Sequence, residues 1–272
     1  MSLLRVENLS VQLDGVTILE NLSLEVEQGE VFCLIGPNGC GKTTLLDCIL
    51  GWLKPQSGRV MLWDKCLEDY SLKSLAREIA YVPQSHDKTF PYTVKDIVLM
   101  GRNPFAGPLA GPGQADITIT EQILERLGLT KYRDRPYTKI SGGEGQLVMI
   151  ARALAQQTPL IIMDEPTAHL DLKHEFVILE TIAGLVRKNR ISVIMATHFP
   201  NHAFQLENYG VPTRVGLMTA KGSLLVGKPQ TVLDQDQLAR IYNIDARVIS
   251  HTLESSRAIK QIVPLGLAGG CI

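Results

Sequence analysis

The sequence predicts an α/β fold: a mainly parallel sheet packed with helices, an N-terminal antiparallel β part and a helical insertion. Three observations carry this. Short apolar runs at residues 31–35, 79–82, 160–163 and 191–196 lack alternation, as strands buried on both faces do. Helical patterns lie between them, and strand–helix alternation implies a parallel sheet. Residues 4–26 instead alternate, with Leu4, Val6, Leu9, Val11 and Leu13 and later Leu22, Leu24 and Val26 set among polar residues, the pattern of half-buried antiparallel strands.

Each element follows in order. After the strand at 31–35, residues 36–41 break the pattern with three glycines, and 42–53 reads as a helix. Residues 101–113 hold Gly101, Gly107, Gly111, Gly113, Pro104, Pro108 and Pro112, which predicts an irregular exposed loop. On either side, 93–100 and 118–157 read as helical, so about 85–157 is expected to be a helical insertion into the core. Beyond Leu224 come short strands and a helix, then a tail over 246–272 with no assigned form.

Composition narrows the function. Hydrophobic residues make up 45% and charged residues 20% of 272, ordinary for a soluble globular chain. The net charge is −1, which disfavours nucleic acid as a partner. The five cysteines, Cys33, Cys40, Cys48, Cys66 and Cys271, form no CxxC pair and read as reduced thiols. No apolar run approaches the ~20 residues of a membrane helix. Arg5 and Glu7 stand where a signal peptide would be apolar, so any membrane role is expected to come through a partner.

Gly36-Pro37-Asn38-Gly39-Cys40-Gly41-Lys42-Thr43 fits G-x-x-x-x-G-K-[ST] between a buried strand and a helix. Glycines let backbone N–H groups converge on one anion, and the helix adds its positive end. Lys42 supplies a mobile charge for phosphates and Thr43 a hydroxyl for Mg²⁺; Thr44 follows in the same cradle. The strand at 160–163 ends in Asp164 and Glu165, a carboxylate near Mg²⁺ and one that reaches the attacking water. Together these predict a P-loop NTPase. Cys40 lies among amides and Lys42, where its thiol is expected either to be activated or to be packed and inert.

Ile140-Ser141-Gly142-Gly143-Glu144-Gly145-Gln146, ahead of the Asp-Glu strand, resembles the signature motif of ABC ATPases. Ser141 and Glu144 also make a capping box at the start of a helix. The other motifs of that family follow in order: Gln84 resembles the Q-loop glutamine, Ala168-His169-Leu170-Asp171 the D-loop, and His198 the switch histidine. The resemblance covers about residues 3–245 and implies an ATP-binding domain over 1–245 with a tail over 246–272. It implies a head-to-tail dimer with ATP between the P-loop of one copy and Ser141, Gly142, Gly143 and Asp171 of the other. Lys42, Thr43, Gln84 and Asp164 would hold phosphate and Mg²⁺, Glu165 would be the general base, and His198 would contact the γ-phosphate.

Residues 91–102 are similar to the stretch after the Q-loop in importers of iron–siderophore, haem, cobalamin and molybdate type, as are residues 166–172 and Ile262-Val263-Pro264. This implies transmembrane permease subunits as partners, an external binding protein acting indirectly, and a place at the cytoplasmic face of the membrane. Lys95 and Asp96 lie in the stretch expected to meet the permease. A soluble ABC ATPase in iron–sulfur assembly is the alternative. Two departures stand out: Leu13 occupies the place of an adenine-stacking aromatic, and Glu144 adds a charge expected to weaken ATP-driven closure.

Overall fold

The structure, a computed structural model, describes residues 2–84, 90–107, 111–220, 222–252 and 258–268. In chain order the elements are β1 (Ser2–Leu13), β2 (Val16–Glu27), β3 (Val31–Ile35), α1 (Lys42–Ile49), β4 (Ser57–Leu62), β5 (Lys65–Cys66), α2 (Leu72–Leu75), β6 (Ile79–Val82), α3 (Val94–Leu99), α4 (Gln114–Arg126), α5 (Gly142–Ala155), β7 (Leu160–Asp164), α6 (Leu172–Asn189), β8 (Ser192–Thr197), α7 (Asn201–Asn208), β9 (Thr213–Met218), β10 (Leu224–Gly227), α8 (Pro229–Val232), α9 (Gln235–Tyr242), β11 (Ile244–Thr252) and β12 (Ala258–Leu267).

The chain divides into two compact units, one of Met1–Asp69 with Ile182–Ile272 and one of Tyr70–Thr181, so the division falls inside α6. In the first unit β2, β1, β4 and β5 form an antiparallel sheet. There β3 lies between β8 and β9, parallel to both, and β10 is antiparallel to β9. All five residues of β3 are buried, as its unbroken apolar run predicts. Helix α1 is shorter than the 42–53 expected. It ends at Ile49 because Gly51 takes a left-handed φ of 72°, which stops the helix, and the amides of Trp52 and Leu53 turn back to the Asp47 carbonyl.

Strand β4 has no counterpart in the sequence reading. Only Val60, Met61 and Leu62 in it are apolar, and it becomes a strand by pairing with β1, where Leu4 faces Leu62 and Val6 faces Val60. The short strands and helix expected past Leu224 are present as β10, α8 and α9, and the segment over 246–272, expected without an assigned form, holds paired strands among its described residues. There β11 and β12 form an antiparallel hairpin with Ala246 and Ile262 buried, and the residue 245/246 boundary falls within β11. Cys271 lies outside the described residues, as do 269–272 as a whole.

In the second unit β6 and β7 are parallel and fully paired. The helical reading holds for 93–100 in α3, and for 118–157 only in α4 and α5: residues 127–141 between those two helices are turns with short 3₁₀ segments at Thr130–Tyr132 and Tyr137–Lys139; residues 85–89 lie outside the described residues. The loop expected over 101–113 needs correction. Residues 100–105 form a 3₁₀ helix, with Gly101 and Arg102 buried. Arg102 Nε donates to Asp116 Oδ1 at 2.8 Å, and its Nη1 donates to the Ala155 carbonyl at 2.7 Å and to Gln157 Oε1 at 2.9 Å. A buried guanidinium with all these partners converts half of a Gly/Pro-rich loop into fixed structure. Residues 108–110 lie outside the described residues, while Gly111, Pro112 and Gly113 are exposed as expected.

Candidate functional site

In the first unit, register places two predicted groups side by side. Ile35 of β3 is the partner of Thr197 of β8, so Gly36 and His198 each follow directly from the same end of adjacent parallel strands. Gly41 sits at φ 100°, a conformation that favours glycine, and a Cβ there would press on the Leu19 side chain at 2.8 Å from Cδ2. No side chain caps α1 and none of its first-turn residues is acidic, an arrangement that suits an anion at the helix start. Lys42 is buried, with Nζ donating to the carbonyls of Gly36 at 2.9 Å and Pro37 at 3.2 Å. Asn38, Gly39 and Thr43 are exposed, Pro37 and Thr44 half-buried.

Cys40 is 3% exposed, and burial pushes its thiol up, against the weaker pull of Lys42 and the nearby amides. Of the two expectations for Cys40, the activated thiol is overturned: desolvation outweighs the positive surroundings. His198 is half-buried, its ring against that of Phe199 with centroids 3.9 Å apart. The Phe199 amide donates to Thr197 Oγ1 at 3.1 Å, and that hydroxyl bonds Nδ1 of the buried His202 at 3.0 Å. Leu13, at the end of β1, is 41% exposed.

In the second unit Val82 is the partner of Met163, so Gln84 and the Asp164–Glu165 pair leave β6 and β7 at the same end. Gln84 Nε2 donates to Glu165 Oε2 at 3.4 Å, and Asp164 is buried. Glu165 has a φ of 43° and half-buried surroundings; the amide of Ala168 donates to its carbonyl at 3.0 Å. Backbone held in this sparsely used region is a feature that clusters at functional sites.

Ser141 caps α5: its hydroxyl accepts from the Glu144 amide at 3.3 Å, and Glu144 Oε2 accepts from the Ser141 amide at 3.0 Å. The Tyr132 hydroxyl also bonds Glu144, and with the Ser141 contacts this holds the carboxyl below its usual value. The charge expected to face a nucleotide is thus turned to its own helix start. Gly142 is exposed and Gly143 buried, because His174 lies over it; a Cβ on Gly143 would overlap the imidazole. Asp171 Oδ1 accepts from the His174 amide at 2.9 Å and meets its Nδ1 at 2.8 Å, bonds that hold the Asp171 carboxyl low. His174 therefore joins the signature segment to the D-loop aspartate. Sequence reasoning missed it, although its spacing of three from Asp171 at a helix start is a capping distance. Lys95 and Asp96 are also committed internally, Lys95 to Glu121 at 2.7 Å and Asp96 to the Thr93 amide at 3.0 Å. The large apolar side chains that the 90–102 stretch exposes are Phe90 and Tyr92, with exposed Pro91 between them.

Residues 19–168 match the ABC transporter family, and the chain belongs to it. It is 37% identical over 253 residues to an ABC transporter ATP-binding protein of Haemophilus influenzae, covering 93% of this chain and 94% of that protein. It is 33% identical over 250 residues to the iron(3+)-hydroxamate import ATP-binding protein FhuC of Bacillus subtilis, covering 92% and 91%. Among solved structures, a chain of a metal-chelate type ABC transporter in an inward-facing conformation superposes with a TM-score of 0.85 at 30% identity, covering 97% of this chain and 98% of that one. The protein is an ABC-type ATPase, an ATP-binding transporter subunit that hydrolyses ATP to power transport. No helix among the described residues is long and apolar enough to cross a membrane.

Proposed function

We propose that this subunit powers an importer of a metal chelate, such as an iron–siderophore, haem or cobalamin, or of a metal oxyanion. The observation that carries the reading is the superposition along nearly the whole chain on a metal-chelate type transporter. Two copies would face each other head to tail beneath permease subunits, at the cytoplasmic face of the membrane. The permease would meet the stretch after Gln84, where Phe90 and Tyr92 stand exposed. An external binding protein would deliver cargo to the permease.

The residue roles follow from chemistry. The amides of residues 36–44 and the start of α1 receive the phosphates, and Lys42 moves from its own loop carbonyls to the β- and γ-phosphates. Thr43, Asp164 and Gln84 offer hydroxyl, carboxylate and amide oxygen, the hard donors that suit Mg²⁺, and would hold that ion. Among the described residues no group of three or more His, Cys, Asp or Glu could hold a metal. Bound Mg²⁺ supplies charge neutralisation on the phosphates. Glu165 takes the proton of the attacking water, with Gln84 orienting its carboxylate. His198 bonds the γ-phosphate. Ser141, Gly142, Gly143 and Asp171 complete the site of the second copy.

Glu165→Gln tests the base: ATP binding should persist while hydrolysis falls by about 10²–10⁴-fold. Near-normal turnover would remove Glu165 from the role. Reconstitution with the permease and binding protein, followed by uptake of candidate chelates, tests the cargo. Stimulation of ATPase by a loaded binding protein for an unrelated solute, with none by any chelate or oxyanion, would overturn the proposed class.

A further inference from the structure

The C-terminal hairpin, which the sequence leaves without a role, is tied to the helix that follows His198. Asn201 Nδ2 donates to the Ile262 carbonyl at 3.0 Å, and Asn201 Oδ1 accepts from the Ile262 amide at 2.7 Å. Asn208 repeats the pattern, with Nδ2 to the Lys260 carbonyl at 3.2 Å and Oδ1 from the Lys260 amide at 3.3 Å. An asparagine amide carries the donor and acceptor of a peptide group. Two of them seven residues apart fall on one helix face, about two turns apart. Residues two apart in a strand turn their N–H and C=O to the same edge. The two side chains therefore do for β12 what a neighbouring strand would do.

The first clamp lies close to the switch residue. Only Phe199 and Pro200 separate His198 from Asn201, and there is little slack between them. Pro200 has its φ fixed by its ring. The Phe199 amide is held by Thr197 Oγ1, and Thr197 Oγ1 by the buried His202. The hairpin is itself anchored, with Ala246 and Ile262 buried and Lys260 Nζ donating to Gln230 Oε1 at 2.7 Å.

Resting on the assignment of His198 made above, we infer that the β11–β12 hairpin positions the switch histidine through Asn201. Asn201 is a positioning residue; it touches no reacting atom. As the first residue of α7 it is fixed to β12 and, through the short link, sets the orientation of His198. Asn208 makes the same number of bonds to the same strand two turns further away and serves as the built-in control for stability.

The test compares steady-state ATP hydrolysis, ATP binding and thermal unfolding of the full-length subunit in Asn201→Ala, Asn208→Ala, His198→Ala and the His198→Ala/Asn201→Ala pair. Both asparagine variants should lose similar thermal stability. Asn201→Ala should lower kcat about five- to tenfold with KM for ATP little changed, as misplacement of a catalytic group does. Asn208→Ala should lower kcat by under about twofold, and Asn201→Ala should add nothing once His198 is gone. Equal kcat losses in the two asparagine variants would show a purely structural clamp and overturn the inference, as would a loss in Asn201→Ala that persists undiminished in the His198→Ala background. An inactive His198→Ala beside an unaffected Asn201→Ala overturns this inference alone. Full turnover in His198→Ala overturns the role of His198 and this inference with it. If Asn201→Ala does not fold, Asn201→Ser, which keeps a shorter donor and acceptor, reads the same comparison.

Discussion

Glu144→Gln separates two sites of action for one charge. The carboxylate accepts from the Ser141 amide at 3.0 Å and bonds the Tyr132 hydroxyl, while the Ser141 hydroxyl accepts from the Glu144 amide at 3.3 Å. A glutamine has one acceptor oxygen in place of two, so it keeps the box with Ser141 and loses part of the Tyr132 contact. It also loses the interaction of charge with the helix start, about 0.3–1 kcal/mol at a solvent-facing site. With the weakened hydrogen bond, discounted for screening, the sum is about 1 kcal/mol. For a chain of this size that lowers the unfolding temperature by about 2–4 °C, measured by calorimetry.

The sign with pH follows from the lowered carboxyl. Its stabilisation is present above the usual value of 4.5 and is lost as pH falls below it, so the gap between wild type and variant should close on acidification. The competing site of action is a nucleotide in the facing copy. Unit charges about 8 Å apart at an effective dielectric of about 20 repel by about 2 kcal/mol. That repulsion would make Glu144→Gln dimerise more readily with ATP at low salt. Stronger low-salt dimerisation with no fall in unfolding temperature would refute the capping argument.

Three further outcomes follow. Gly143→Ala should displace His174 and lower both stability and hydrolysis, and His174→Ala in the same chain should restore part of each; no restoration would place the clash elsewhere. Among the described cysteines, maleimide at neutral pH should label half-exposed Cys66 before buried Cys33, Cys40 and Cys48, followed by peptide mass mapping; earlier labelling of Cys40 would contradict its desolvation. Burial raises the Glu30 carboxyl from 4.5 to about 7 despite its contact with Arg214 at 3.6 Å. Its folded form favours the proton, so it erodes stability as pH rises from about 4.5 to about 7. Glu30→Gln should flatten that decline in a pH series of unfolding temperatures, and an unchanged slope would assign the decline to other groups.

The parts legible in the sequence are those whose signals are local. The apolar runs of β3, β6, β7 and β8 mark buried strands on their own, and the phosphate loop and signature segment are contiguous in the chain. What escaped depends on partners far away. β4 needs β1 for its register, and burial of Arg102 needs Asp116, Ala155 and Gln157. The state of the Cys40 thiol hangs on a balance between desolvation and nearby positive charge, and only packing fixes that balance. His174 over Gly143 and the asparagine clamps on β12 are contacts between side chains and backbone that no periodicity announces. Lys95 and Asp96 looked available for a partner because the sequence does not display Glu121 and Thr93 as their holders.

Glu165 sits in left-handed backbone at φ 43°. For a residue with a side chain this conformation costs about 1 kcal/mol, a cost glycine does not bear. The carboxylate assigned to hydrolysis therefore occupies a position that the backbone alone would give to glycine. Engineering this chain for heat resistance by matching residues to backbone shape would pick this position early and, on the role proposed for Glu165, yield a hardier protein that binds ATP without turning it over. Under that role, durability and turnover pull in opposite directions at this one residue.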